Sequence, residues 1–97
     1  MTVANIFMFE FDEAAELEKW VAWYKDRGPF PETEFNCVVQ TGETSGMGIA
    51  TYPTEEARQL ADKLRTETAQ NSGFAVREII PLSGTVRIQY RDGKFID

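Results

Sequence analysis

Val3-Ala4-Asn5-Ile6-Phe7-Met8-Phe9-Glu10-Phe11 alternates as a strand does, yet apolar side chains occupy both of its faces. Successive strand residues point to opposite sides, so Val3, Phe7, Phe9 and Phe11 share one face and Ala4, Ile6 and Met8 share the other. Asn5 is the polar exception on the odd-numbered face. A sheet built around such a strand needs a cover on each side, and a chain of 97 residues with two helical segments can supply only one of them. The second cover is most simply another copy of the protein. The odd-numbered face, dense in phenylalanine, is assigned to the helices and the even-numbered face to the dimer. A one-residue slip in register would exchange the two.

Downstream of this strand the apolar period changes from two to that of a helix. Asp12 is placed to cap the helix, with Glu13 and Glu16 near the positive end of its dipole. Ala14, Leu17, Trp20, Val21 and Tyr24 recur at three- and four-residue spacing and form one stripe, with Trp23 off its centre. Lys25 and Arg27 sit in the last turn, where cations complement the dipole, and Gly28-Pro29 ends the helix. A loop stiffened by Pro29 and Pro31 leads to a strand over Glu34 to Thr41, whose Phe35, Cys37 and Val39 mark an apolar face. After the loop Gly42–Gly46, Met47 to Tyr52 returns as a strand in which Gly48 signals a bulge or the close approach of another group. Thr54 caps a second helix with the thinner stripe Ala57, Leu60, Ala61 and Leu64, and Asn71-Ser72-Gly73 ends it. A fourth strand is expected from Phe74 to about Leu82, at a sheet edge because Pro81 donates no ladder hydrogen bond. Ser83-Gly84 reads as a break, Thr85 to Tyr90 as an extra strand, and Asp92-Gly93 as a tight turn folding Lys94-Phe95-Ile96 back into a hairpin arm.

Composition narrows the function classes. A single domain over residues 1–97 buries roughly 60–70% of its unfolded surface, and with 42% apolar and 12% aromatic residues it has the material for a core. The net charge of −6 repels phosphate backbones, and the basic residues Arg58, Lys63 and Arg65 are interleaved with Glu55, Glu56, Asp62 and Glu67, so no nucleic-acid partner is expected. No apolar run reaches membrane-spanning length, and the first residues lack the basic region of a signal peptide, so no membrane partner is expected and a cytoplasmic location is. Cys37 is the only cysteine, so no internal disulfide forms, and it reads as a small buried hydrophobe.

With no histidine and one cysteine, the chain has no zinc site, no iron–sulfur ligation and no Ser/His/Asp or Cys/His catalytic arrangement. Gly42, Gly46 and Gly48 join two strands without opening a helix, which does not make a phosphate cradle. The carboxylates Glu13, Glu16, Glu55 and Glu56 are explained by helix N-termini. Arg77 and Glu78 are adjacent on a strand and point to opposite faces, and whichever turns inward needs a partner. Asn5 is the best polar candidate, beside Phe7 and Phe9 and facing the helix of Trp20 and Tyr24. Two readings of that space stay open: an apolar pocket with few polar anchors, the usual make-up of a small-molecule site, or a solid aromatic core in which Asn5 bonds to backbone.

From Val3 to about Leu82 the strand–helix–strand–strand–helix–strand order resembles the ferredoxin-like dimeric α/β-barrel superfamily, at the level of topology and not of a motif. The resemblance implies an α+β fold, a ferredoxin-like β-α-β-β-α-β sandwich with an extra C-terminal strand or hairpin arm, whose sheets pack face to face in a dimer. The superfamily includes cofactor-independent monooxygenases, haem-degrading relatives and small-lactone isomerases. Asn5 is similar in placement to an asparagine with which some of the oxygenases orient substrate. The axial histidine of the haem-degrading branch is missing here, and so is the phosphate loop of the acylphosphatases, because Phe11 runs directly into Asp12 and a helix. The expectation is a homodimer binding a small apolar organic ligand without metal or cofactor. Asn5, with Tyr24 or Tyr52, would orient its polar groups, and Phe7, Phe9 and Trp20 would line the walls. Turnover of the monooxygenase or isomerase type is compatible with that. The alternatives are a non-catalytic structural or interaction module whose sheet face serves dimer assembly, and an accessory protein whose arm, Thr85 to Asp97, is the handle for a larger partner.

Overall fold

Strand β1 (Val3–Glu10) occupies an inner position of a four-stranded antiparallel sheet, between β3 (Ser45–Tyr52) and β4 (Arg77–Thr85), with β2 (Phe35–Gln40) outside β3. The structure, a computed structural model, describes residues 1–74 and 76–96, and of Glu78 and Ile79 it describes the backbone only. Helix α1 (Ala14–Arg27) links β1 to β2, and α2 (Glu55–Asn71) links β3 to β4. Together these elements make a small α+β domain.

Register sorts every side chain of the sheet onto one of two faces. Val38, Gly48, Phe7 and Pro81 form one cross-strand row, and Asn36, Ala50, Asn5 and Ser83 form the next, both on the side of the helices. Val3, Asn5, Phe7 and Phe9 are all buried there, as the odd-numbered face was expected to be. The opposite rows run Phe35–Thr51–Ala4, Cys37–Ile49–Ile6–Leu82 and Val39–Met47–Met8. No helix covers them, and Phe35, Val39, Met8, Met47 and Leu82 are exposed, Leu82 by 53%, although Ala4 and Thr51 are buried. The apolar face of β2 therefore looks away from the helices. Cys37 lies on it half-buried and free. In β2 it is the polar-seeming face, with Asn36 and Val38, that packs against the aromatic core.

The helices approach the sheet differently because their side chains differ in size. Helix α2 presents Ala57 and Ala61, 3% and 2% exposed, to Val3, Ala50 and Tyr52, and its backbone comes close to β1 and β3. Its Leu60 turns outward, 45% exposed, contrary to the stripe expected of it. Helix α1 stands on rings instead: Leu17 and Trp20 are buried over Phe9 and Phe11, with Trp20 and Phe9 centroids 4.5 Å apart. Such large rings from β1 and α1 need small residues opposite, and β3 provides them. A Cβ on Gly48 would sit inside the Phe7 ring, and one on Gly46 would meet the Phe9 ring, far closer than real Cβ contacts. The close approach signalled by Gly48 is thus an aromatic ring laid over backbone.

Three boundaries differ from expectation. Asp12 does not cap α1; Glu13 holds the N-cap position without a side-chain bond, and Asp12 pairs with Arg77 at 3.1 Å. Arg77 is 63% exposed and also faces Glu10 at 3.7 Å, so it lies in solvent-accessible ion pairs, while the Glu78 side chain falls outside the described residues. Strand β4 begins at Arg77, not Phe74, and runs without a break through Ser83-Gly84, because Asn5 pairs with Ser83 and Ala4 with Gly84. It is an edge strand, which is where Pro81 fits. The extra strand shortens to β5 (Gln89–Arg91), which pairs with β6 (Lys94–Ile96) across Asp92 and Gly93, both at positive φ as a tight hairpin turn requires. Thr54 does cap α2, accepting a hydrogen bond from the Ala57 N–H at 3.1 Å, and Gly28 does end α1 at φ 77°.

Candidate functional site

Where α1 is held off the sheet by rings and α2 is drawn close by alanines, a wedge-shaped space of about 70 Å3 remains between them. Asn5, Phe7, Phe9, Trp20, Tyr24 and Tyr52 all border it. They come from β1, α1 and β3, so the register of the sheet and the phase of the helix together bring them to one place. A second space, about 460 Å3, lies on the far side of Trp20 and Tyr24, between α1 and β2. Lys25 and Gln40 share its lining, whereas the first draws its wall from β1, β3 and both helices and gathers more of the aromatic rings. The first is the better candidate, since aromatic walls with a few convergent polar groups are the usual make-up of a small-molecule site.

Asn5 is 7% exposed and tied into a chain of polar contacts. Its Oδ1 accepts from Arg58 Nη1 at 2.9 Å, and its Nδ2 donates to the Arg58 carbonyl at 3.3 Å. Arg58 in turn donates from Nε to both Glu55 carboxylate oxygens, at 3.0 and 2.9 Å. The hydrogen bond from Arg58 holds the Glu55 carboxyl below its ordinary pKa, and the same bond raises that of Arg58. Asn5 thus fastens β1 to the first turn of α2, and its partner is helix α2 as well as backbone. Tyr24 performs the equivalent task for α1. Its hydroxyl donates to Asn36 Oδ1 at 2.9 Å, and Asn36 Nδ2 donates to the Ile49 carbonyl at 3.1 Å. Tyr52 is 2% exposed, and burial pushes its phenol pKa above the ordinary value.

Arg27 is the residue that sequence reasoning passed over. It was assigned to the helix dipole, but its guanidinium carbon lies 3.9 Å from the Phe30 ring centroid, 4.5 Å from Tyr24 and 5.6 Å from Trp23, on the cavity wall. Its Nε is buried without a hydrogen-bond partner, and burial lowers its pKa from the ordinary arginine value. The i, i+4, i+7 spacing of Trp20, Tyr24 and Arg27 would have placed it on the same helical face as the rings. Trp23, read as off-stripe, packs at 5.7 Å from Phe74 and also lines the cavity, as does Arg65, which pairs with Asp62 at 2.6 Å and lies over Phe7.

Chemically the site can hold and orient. Among the described residues its lining contains no carboxylate and no thiol, and the chain has no histidine. The Tyr24 hydroxyl and the Asn5 amide already have protein partners, while one edge of Arg27 has none at Nε. No described helix is long and apolar enough to cross a membrane. Neither a protein-family model nor a curated protein sequence matches the chain.

Proposed function

We propose that the protein is a ferredoxin-like domain that works as a homodimer and holds a small, largely apolar organic molecule in the cavity between β1, β3 and the helices. The ferredoxin-like reading rests on the element order together with the strand order β2-β3-β1-β4, all antiparallel. The observation that carries the binding role is the meeting of Asn5, Phe7, Phe9, Trp20, Tyr24 and Tyr52 around one space of about 70 Å3. A lone water needs roughly 10–15 Å3 on this measure, so several heavy atoms fit. A ring the size of benzene takes about twice the observed volume. Its entry requires Trp20 or Tyr24 to turn, or α1 to lift. Asn5 and Tyr52 would orient the polar part of the molecule, and turnover would have to draw its reactive group from the ligand itself or from a co-substrate, since the lining offers no general base.

The dimer reading rests on the uncovered sheet face. Over the rows Cys37–Ile49–Ile6–Leu82 and Val39–Met47–Met8 it carries no charged side chain, the Glu10–Arg77 pair standing at its end, and a two-fold axis through those uncharged rows makes them complementary to themselves. That face also favours the second reading, a non-catalytic module in which assembly is the whole function and the cavity is only loosely packed core.

Native mass spectrometry of the purified protein tests both. The expected spectrum is a dimer carrying a small organic molecule that leaves on activation. A monodisperse monomer at low micromolar concentration removes the dimer. A dimer that never carries or accepts a small molecule leaves the interaction module as the correct reading.

A further inference from the structure

The cavity also bears on which molecules it would take. We infer that its ligand is a small organic carboxylate whose carboxylate group pairs with the Arg27 guanidinium while its apolar body lies against Phe7, Phe9 and Trp20; this rests on reading the cavity as a binding site. Three observations lead there. Arg27 is half-buried with an unpartnered Nε, and among the described residues no carboxylate pairs with it, although Arg58, Arg65 and Arg77 each have one. A buried guanidinium edge with no acceptor is costly unless something supplies one. The lining holds two arginines and no acid among the described residues, and with Arg65 paired to Asp62 the positive charge left to the cavity is that of Arg27, in a chain where Asp and Glu outnumber Lys and Arg by 16 to 10. An acidic protein that collects only positive charge around its cavity favours an anion there.

The geometry selects among anions. Phe30, Tyr24 and Trp23 gather around the Arg27 guanidinium, contacts that favour its charged form and hold the group in place. The planar guanidinium matches a planar carboxylate in two parallel hydrogen bonds, and because Nε is shut off from solvent, a ring of the wall must turn for a ligand to reach that edge. A phosphate carries more charge and more acceptors than one arginine edge can meet, and Arg65 already pairs with Asp62. The surrounding rings then suit an apolar body attached to the carboxylate.

Both tryptophans of the chain, Trp20 and Trp23, line the cavity, so intrinsic fluorescence reports its occupancy. The experiment titrates the full-length protein at pH 7 with butyrate, hexanoate and benzoate, with the corresponding neutral amides, and with inorganic phosphate. The acids are expected to bind roughly ten- to a hundredfold more tightly than their amides, the range for hydrogen bonds to a charged group. Arg27→Met keeps the apolar stem and should erase this preference while leaving amide binding in place. Arg27→Lys, which keeps charge but loses the fork, should retain part of it. Equal affinity for acid and amide in the unaltered protein overturns the inference while the cavity reading stands, and so does a preference that survives Arg27→Met. Phosphate binding more tightly than the carboxylates overturns it too. If acids and amides alike fail to bind, the cavity reading itself falls. Should Arg27→Met not fold, as circular dichroism would show, the acid–amide ratio of the unaltered protein and of Arg27→Lys decides alone.

Discussion

Replacing Gly48 with alanine adds one methyl group where the Phe7 ring already lies. The ideal Cβ falls within 3 Å of three atoms of that ring, so either the ring or strand β3 must shift. Phe7 is 8% exposed and packs beside Phe9, with ring centroids 5.9 Å apart, so its freedom on that side is small. Its only slack is the cavity it lines. Overpacking of this kind costs about 1–3 kcal/mol. Against it stands the reduced freedom of the unfolded chain, worth about 0.4–1 kcal/mol where the backbone suits alanine, and Gly48 has no positive φ to forbid it. The net expectation is a loss of about 1–2 kcal/mol, or a fall in Tm of roughly 5–15 °C for a domain of this size. Urea denaturation at constant m-value measures it. Two companions isolate the cause. Gly84→Ala meets nothing within 4 Å and should be neutral or slightly stabilising. Phe7→Leu removes the three ring atoms that collide, so in that background Gly48→Ala should lose most of its cost, giving a coupling of about 1–2 kcal/mol. If Gly48→Ala is as harmless as Gly84→Ala, or equally damaging with and without the Phe7 ring, the ring-over-glycine account of this core is wrong.

Other perturbations probe the remaining interfaces. Met8→Glu places a charge at the sheet face that no helix covers, where Met8 is 37% exposed; on the dimer reading proposed above it should leave a monomer in light scattering with less than about 0.5 kcal/mol change in monomer stability, and a dimer that persists would move the proposed interface elsewhere. Asn5→Ala leaves the Arg58 carbonyl and one of its guanidinium nitrogens without their partner on β1; a loss of about 1–3 kcal/mol is expected in chemical denaturation, and an unchanged midpoint would show the bridge to be incidental. Thr54→Ala removes the α2 cap at Ala57 and should cost about 1 kcal/mol, which Thr54→Ser should largely restore. Burial raises the Tyr52 pKa in the folded state above its ordinary value of 10.0. Its contribution is therefore fully present below pH 10 and is lost as pH rises from there through the folded pKa, while the unfolded chain ionises first. Tyr52→Phe should flatten that alkaline slope, and an identical slope in both proteins would remove Tyr52 as its source.

Local chemistry was legible from residues alone. The two apolar faces of Val3–Glu10, the Leu17–Trp20–Tyr24 stripe, the Thr54 cap and the Asp92-Gly93 turn each depend on a few consecutive residues obeying one period or one φ requirement. Alternation on β1 and the helical phase of α1 likewise place Asn5, Phe7 and Phe9 on one surface and Trp20 and Tyr24 on the surface facing it, whereas Trp23 and Phe30 join them only in the folded chain. Tertiary structure decided what depends on partners far along the chain. Phe35, Cys37 and Val39 look like a core face, yet pairing of β2 with β3 turns them to the open side. Ser83-Gly84 looks like a break, but β1 supplies hydrogen-bond partners that carry β4 through it. Arg27 reads as a dipole-complementing cation until Phe30, from the following loop, closes over it. Propensity and period act over a turn or a strand. The register of a sheet and the seat of a charge are set by which distant groups satisfy backbone bonds and exclude water, and only the folded chain brings those groups together.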